Sequence, residues 1–210
     1  MSNQREHESS PPSSWPQSVI FLVKPRLAQT FPSSLLSHLA PSLSTFAPKP
    51  TKHPSSVQIK RIAEPSHPAY GQFGLFARQK IKENELVIPY LGVIYASFIP
   101  EDGNKPIADE HAESDYDLSL LRLSAADENN PFWGQHVSIG VDAAQAGNAA
   151  RFVNDYRGIK TSGPNAEFRV GRGEQGELRM EIWSLKRGIS KGEEILVSYG
   201  KGWWGARRGL

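Results

Sequence analysis

The chain has 210 residues, no cysteine and a formal net charge of +2. That length suits one domain of ordinary size with an additional segment, and the near-neutral charge gives no argument for nucleic acid as a partner. The missing thiols exclude disulfides, Cys-based zinc sites and a thiol nucleophile. The histidines (His7, His38, His53, His67, His111 and His136) lack the spacing of metal ligands, so no bound metal is expected. No apolar run reaches the ~20 residues that a membrane helix needs, and residues 19–23 are too few for a signal-peptide core. An intracellular protein without a membrane segment is expected.

Residues 1–56 are rich in Ser and Pro, which forbid long helices and central strands. This arm is expected to be largely disordered, with one strand at residues 19–23 and one short helix in "FPSSLLSHLA". From Val57 the texture changes. "VQIKRI" alternates apolar and polar residues, and "GLFAR" and "ELVIPYLGVIYAS" are dense in β-branched and aromatic residues between Gly and Pro, so both regions read as strands. Residues 100–113 form a polar insertion with room for a short helix at "PIADEHA". "DYDLSLLRL", "HVSIGVDA", "AEFRVG", "LRMEIWSL" and "EEILVSYG" complete the strand candidates. "DAAQAGNAARFV" has a helical composition at its start, which Gly147 and Asn148 would end early. Many short strands, few helices and abundant turns predict a mostly β fold without helical crossovers. The domain is expected to span residues 57–204, followed by a short tail over 205–210.

Charge is uneven along the chain. Acids crowd residues 83–128, among them Glu101, Asp102, Asp109, Glu110, Asp115 and Asp117, whereas bases gather after Asn154. The acidic stretch reads either as an attractor of a basic protein or peptide or as a solvated loop. A second oddity is "GNAARFVNDYRG", residues 147–158, which surrounds Phe152 and Val153 with Arg151, Asn154 and Asp155. Buried polar groups without partners cost on the order of 1–3 kcal/mol each. The stretch is therefore either buried backbone serving a polar ligand or a well-satisfied structural turn.

Other stretches stand in a telling order. "GQFGLFARQKIKENELVIPYLGVI" puts a glycine-containing loop before a strand, where backbone can approach a ligand closely. "DYDLSL" places Tyr116 on a strand. After "VDA" and "GNAARFVN" come "PNAEF" and finally "GISKGEEILVSYGKGWW". Each alone fits a plain hairpin or a half-buried tyrosine. As an ordered set from about Val57 to Trp204 they resemble the SET-domain family of protein lysine methyltransferases. The resemblance implies small curved β-sheets in a β-clip-like arrangement, with residues 151–155 threaded as a pseudoknot near the C-terminus, a path that ordinary connection rules disfavour.

The resemblance also implies the chemistry: methyl transfer from S-adenosyl-L-methionine to a lysine amine. Free lysine has a pKa of about 10.4, and a nearby sulfonium and a dry channel both lower it. Alignment of nitrogen, methyl and sulfur is then largely an orientation effect, without metal or covalent intermediate. Carried over by position, Tyr199 matches the tyrosine that orients the amine, and Tyr90 and Tyr116 match walls of the lysine channel. Phe73, Gly74 and Leu75 would receive the cofactor's methionine part, Asn154 its ammonium group, and the Asp155 backbone its adenine. Arg151 would either meet the cofactor carboxylate or brace the knot. Phe168 either lines the channel or faces the core. Trp203, with Trp204, would close the channel or stack on adenine, or else pack in the core.

Departures from the family pattern are Asp155 where a histidine is common, Pro89 where a glutamate usually precedes the channel tyrosine, and no cysteine-rich segment. They leave an alternative: a catalytically inactive SET-fold module that binds a basic peptide. The partner implied is a lysine-bearing basic protein, with a histone tail among the candidates. A monomer in the nucleus or cytoplasm is expected, with no direct nucleic-acid contact.

Overall fold

The computed structural model describes residues 10–41, 46–100, 110–111 and 113–200. Two early strands, β1 (Ile20–Phe21) and β2 (Arg26–Leu27), precede a short 3-10 turn at Ser33–Leu35 that runs into one helical turn at Leu36–Leu39. The main strands follow: β3 (Val57–Arg61), β4 (Phe73–Ala77), β5 (Leu86–Tyr90), β6 (Val93–Pro100), β7 (Asp117–Leu123) and β8 (Gln135–Asp142). After them come β9 (Ala146–Gly147), a 3-10 turn at Ala149–Phe152, β10 (Asn154–Asp155), β11 (Ala166–Arg172), β12 (Leu178–Ser184) and β13 (Leu196–Val197).

The strands build several small sheets, in keeping with the mostly β expectation. β3 and β4 pair antiparallel, β11-β12-β5 form a second sheet, and β2-β6-β8-β7 a third. In β3 the period of two is visible over its first four residues: Val57 and Ile59 are buried, while Gln58 is half-buried and Lys60 exposed. Pro89 sits within β5, which lies at the edge of its sheet, where a missing N–H leaves no ladder bond unmade. The sheets enclose a common core that includes Leu75, Ile88, Ile94, Ile139, Ile182 and Ile195.

Over its described residues the Ser/Pro-rich arm packs onto the core through a few apolar side chains. Leu35 and Leu39 are fully buried in the main core, and Trp15 packs edge-on against Phe152 at 5.6 Å. The helical start expected before Gly147 is instead β9, paired in parallel with β1. The helical turn comes after the glycine, where the Asn148 side chain caps it by accepting from the Ala150 N–H. "EEILVSYG" gives only the short β13, since its first half is taken up by bonds to β4: Ala77 N–H to Glu193 O at 2.9 Å and Ile195 N–H to Leu75 O at 2.8 Å. The helix expected at "PIADEHA", apart from Glu110 and His111, lies outside the described residues, as do Trp203, Trp204 and the tail.

The placement that matters for function is that of β10. It pairs in parallel with β13, Asn154 opposite Leu196 and Asp155 opposite Val197. Asn165 holds the same strand through its backbone N–H to Leu196 O at 3.0 Å and its Oδ1, which accepts from the Leu196 N–H at 2.8 Å. The polar residues around Phe152 and Val153 are thereby brought against the end of the last strand.

Candidate active site

A cavity of about 810 Å³ lies beside this crossing of β10 and β13, a volume in the range of sites for cofactors and other small molecules. Of the residues singled out from sequence, Phe73, Tyr90, Tyr116, Arg151, Asn154, Asp155, Phe168 and Tyr199 all line it. Asp115 and Asp117 line it as well.

One wall is aromatic. Tyr90 ends β5, is 4% exposed, and donates its hydroxyl to Tyr116 O at 2.8 Å. Its ring meets Phe168 edge to face at 6.0 Å. The Tyr199 backbone N–H is fixed by the Asp155 carboxylate at 2.7 Å, and its hydroxyl donates to Val153 O at 2.8 Å. Burial pushes the pKa of both phenols up, helped at Tyr199 by the Asp155 charge and opposed at Tyr90 by Arg151. Both are therefore neutral at physiological pH. Tyr199 can orient a ligand by hydrogen bonding and is not a general base.

Arg151 lies behind this wall. Its Nε donates to Ala143 O at 2.8 Å and its Nη2 to Ala144 O at 3.3 Å, while the guanidinium stacks over the Tyr116 ring at 4.1 Å. Those bonds make it a brace that also borders the cavity. The Asp155 carboxylate is likewise engaged with its surroundings: it accepts from the Arg157 N–H and Nη1, each at 2.8 Å.

The second wall is polar. Asn154 Nδ2 donates to Glu194 Oε1 at 2.8 Å and to Phe73 O at 3.4 Å. Glu194 Oε2 stands 3.0 Å from His67 Nε2. Gly74 and Leu75 are not on this wall: Leu75 is fully buried in the core, and Gly74 sits beneath Glu194. A Cβ at Gly74 would stand 2.7 Å from Glu194 Oε1 and 3.3 Å from Asn154 Nδ2, so the glycine is needed for that approach. The cavity wall here is Gly71, Gln72 and Phe73, earlier in the chain than the motif suggests.

A model of the SET domain matches residues 72–200, which includes both walls except His67 and Gly71. The chain belongs to the SET-domain family. The histone-lysine N-methyltransferase of Schizosaccharomyces pombe, described as H3 lysine-4 specific, is 32% identical over 126 residues, covering 60% of this chain and 11% of that protein. The Caenorhabditis elegans histone-lysine N-methyltransferase set-2 is 32% identical over 127 residues, covering 60% of this chain and 7% of the relative. A crystal structure of the Chaetomium thermophilum polycomb repressive complex 2 aligns with a TM-score of 0.44 at 25% identity, over 71% of this chain and 16% of that one. The chain thus spans only a small part of the length of the curated relatives it matches.

Around the cavity, sequence reasoning missed three side chains. Asn148 is buried and ties the turn before Arg151 to β5, accepting from the Leu91 N–H at 3.2 Å and donating to Pro89 O at 2.8 Å. Its place inside "GNAARFVN" was a signal, overshadowed by Asn154. His67 and Glu194 lie far apart in sequence, and no spacing rule connects them. Among the described residues no cluster of His, Asp or Glu could hold a metal ion, and no helix is long and apolar enough to cross a membrane.

Proposed function

We propose that this SET domain transfers a methyl group from S-adenosyl-L-methionine to the side-chain amine of a lysine in a basic protein or peptide. The observation that carries the reading is the convergence of Tyr90, Tyr116, Tyr199 and Phe168 on one cavity with Asn154 on the facing wall. The residues fit the cofactor: Phe73 and Tyr199 line the cavity, and Asn154 turns its amide nitrogen to Glu194, which leaves its amide oxygen for an ammonium group. When bound, S-adenosyl-L-methionine supplies an electrophilic methyl group, and its transfer to the amine nitrogen breaks the carbon–sulfur bond and leaves the electron pair on sulfur.

The chain's own residues supply orientation and dryness. The Tyr199 hydroxyl, fixed at Val153 O, offers its oxygen lone pairs to the incoming amine. Tyr90, Tyr116 and Phe168 narrow the channel and exclude water, which disfavours the charged ammonium and frees the nitrogen lone pair. No side chain is required as a base if the proton leaves to water before the amine enters. Arg151 and Asn148 hold the turn from which Val153 and Asn154 project. Asp115 and Asp117 give the cavity a negative border that favours a basic substrate. A histone tail is the first candidate, by analogy with the relatives named above, and the chain is taken to act as a monomer in the nucleus or cytoplasm.

Calorimetric titration with S-adenosyl-L-methionine, followed by radiolabelled methyl transfer to histones and to a lysate panel, tests the reading. Binding with label on lysine supports it. Binding without any transfer would make the chain a peptide-binding module, and absence of binding would remove the cofactor from the account.

A further inference from the structure

We infer that His67 and Glu194 are positioning residues that fix which end of the Asn154 amide faces the cofactor, an inference that rests on the reading above. Both neighbours of Asn154 Nδ2, the Glu194 carboxylate and the Phe73 carbonyl, are acceptors only. The amide nitrogen must therefore point at them, and Oδ1 is the atom left for a ligand in the cavity. An ammonium group needs an acceptor at that place; the opposite orientation would present a donor to a cation.

Glu194 can impose this orientation only if it is itself held. The His67–Glu194 contact is almost wholly buried, with side chains 8% and 10% exposed. His67 Nδ1 accepts from the Ala69 N–H at 3.0 Å, so the ring proton belongs on Nε2, from which it is donated to Glu194 Oε2. The chain of bonds is directional from end to end: Ala69 N–H to His67, His67 to Glu194, Asn154 to Glu194. Gly74 leaves the space in which the carboxylate reaches the amide. His67 comes from the loop between β3 and β4, ahead of the matched SET span.

The test measures S-adenosyl-L-methionine affinity by calorimetry and methyl transfer at saturating cofactor, for the full chain and for His67→Leu, His67→Gln, Glu194→Gln and Asn154→Ala. His67→Leu and Glu194→Gln are expected to weaken cofactor binding by about ten-fold, the scale of a hydrogen bond to a charged group, with little change in kcat. His67→Gln keeps an N–H near the Nε2 position and is expected to bind within a few-fold of the parent. The decisive measurement is the double variant: His67→Leu added to Asn154→Ala should cause no further loss, because both act through one contact. Additive losses, unchanged affinity in His67→Leu, or a kcat loss that persists at saturation would each overturn the positioning role. A parent chain that binds no cofactor would overturn the proposed function instead, a result separable from all of these. Should Glu194→Gln fail to fold, the paired histidine variants still decide the matter.

Discussion

The two walls of the cavity are held in different ways. On the aromatic side the hydroxyls of Tyr90 and Tyr199 end on main-chain carbonyls, Tyr116 O and Val153 O. On the polar side the bonds run from side chain to side chain, His67 to Glu194 and Asn154 to Glu194. Main-chain acceptors are fixed by the sheets and turns they belong to, so an aromatic residue can lose its hydroxyl while its surroundings stay in place. This relay meets the main chain only at its ends, the Ala69 N–H and the Phe73 carbonyl, and the loss of one member releases the next. The aromatic wall should therefore govern turnover, and the polar wall affinity.

The largest effect is expected where the aromatic wall meets its brace. Arg151→Ala removes the donors to Ala143 O and Ala144 O and the stack on Tyr116. With ~1–3 kcal/mol for each buried group left without a partner, a loss of about 3 kcal/mol is expected in urea unfolding. A loss below ~1 kcal/mol would mean that the carbonyls are readily resatisfied and the brace is dispensable. Next comes Asn154→Ala, expected to cost roughly 1.5–3 kcal/mol of cofactor binding while turnover at saturation survives. Tyr199→Phe should do the reverse: affinity nearly intact, turnover down at least ten-fold, or ~1.4 kcal/mol in the barrier. If the two variants exchanged phenotypes, the division of labour between the walls would be wrong.

These residues were legible in the sequence to different degrees. The strands from Val57 onward showed through their alternation, and Tyr90, Tyr116, Asn154 and Tyr199 through the order of their motifs. The contacts of the Ser/Pro-rich arm were not legible because composition averages over a segment, whereas attachment depends on single side chains such as Trp15, Leu35 and Leu39. Gly74 was read as touching the ligand, although its lack of a side chain serves Glu194. The relay on the polar wall was invisible because it joins residues from a loop, a short strand and the chain's last segment. Only the fold brings them together.

A smaller effect follows from the buried phenols of the aromatic wall. Their pKa values are raised in the folded chain, mainly by burial. The unfolded chain ionises tyrosine near pH 10, while the folded chain keeps these two neutral. Below that pH the two states bind the same protons and stability does not depend on these groups. Above it the unfolded state sheds protons first, and stability falls by up to ~1.4 kcal/mol per pH unit for each tyrosine. Urea midpoints taken between neutral pH and pH 11 should show this decline, and Tyr90→Phe should make it shallower. Equal slopes in both proteins would mean that Tyr90 titrates normally and is not sealed in the wall.

The least costly change is also the most specific. Phe168 packs against the core, meets Tyr90 edge to face at 6.0 Å and borders the cavity. A phenylalanine there leaves the channel without a hydroxyl at that point, room in which a methylated amine can turn for a second transfer. Phe168→Tyr adds an oxygen that favours a retained water through a hydrogen bond. The proposed enzyme should thus proceed beyond monomethyl-lysine, and the variant should stop after the first transfer with little change in stability. Mass spectra of a methylated substrate peptide read both outcomes directly. Monomethyl product alone from the parent, or the same product distribution from both proteins, would assign Phe168 to the core and leave the aromatic wall without a gate at this position.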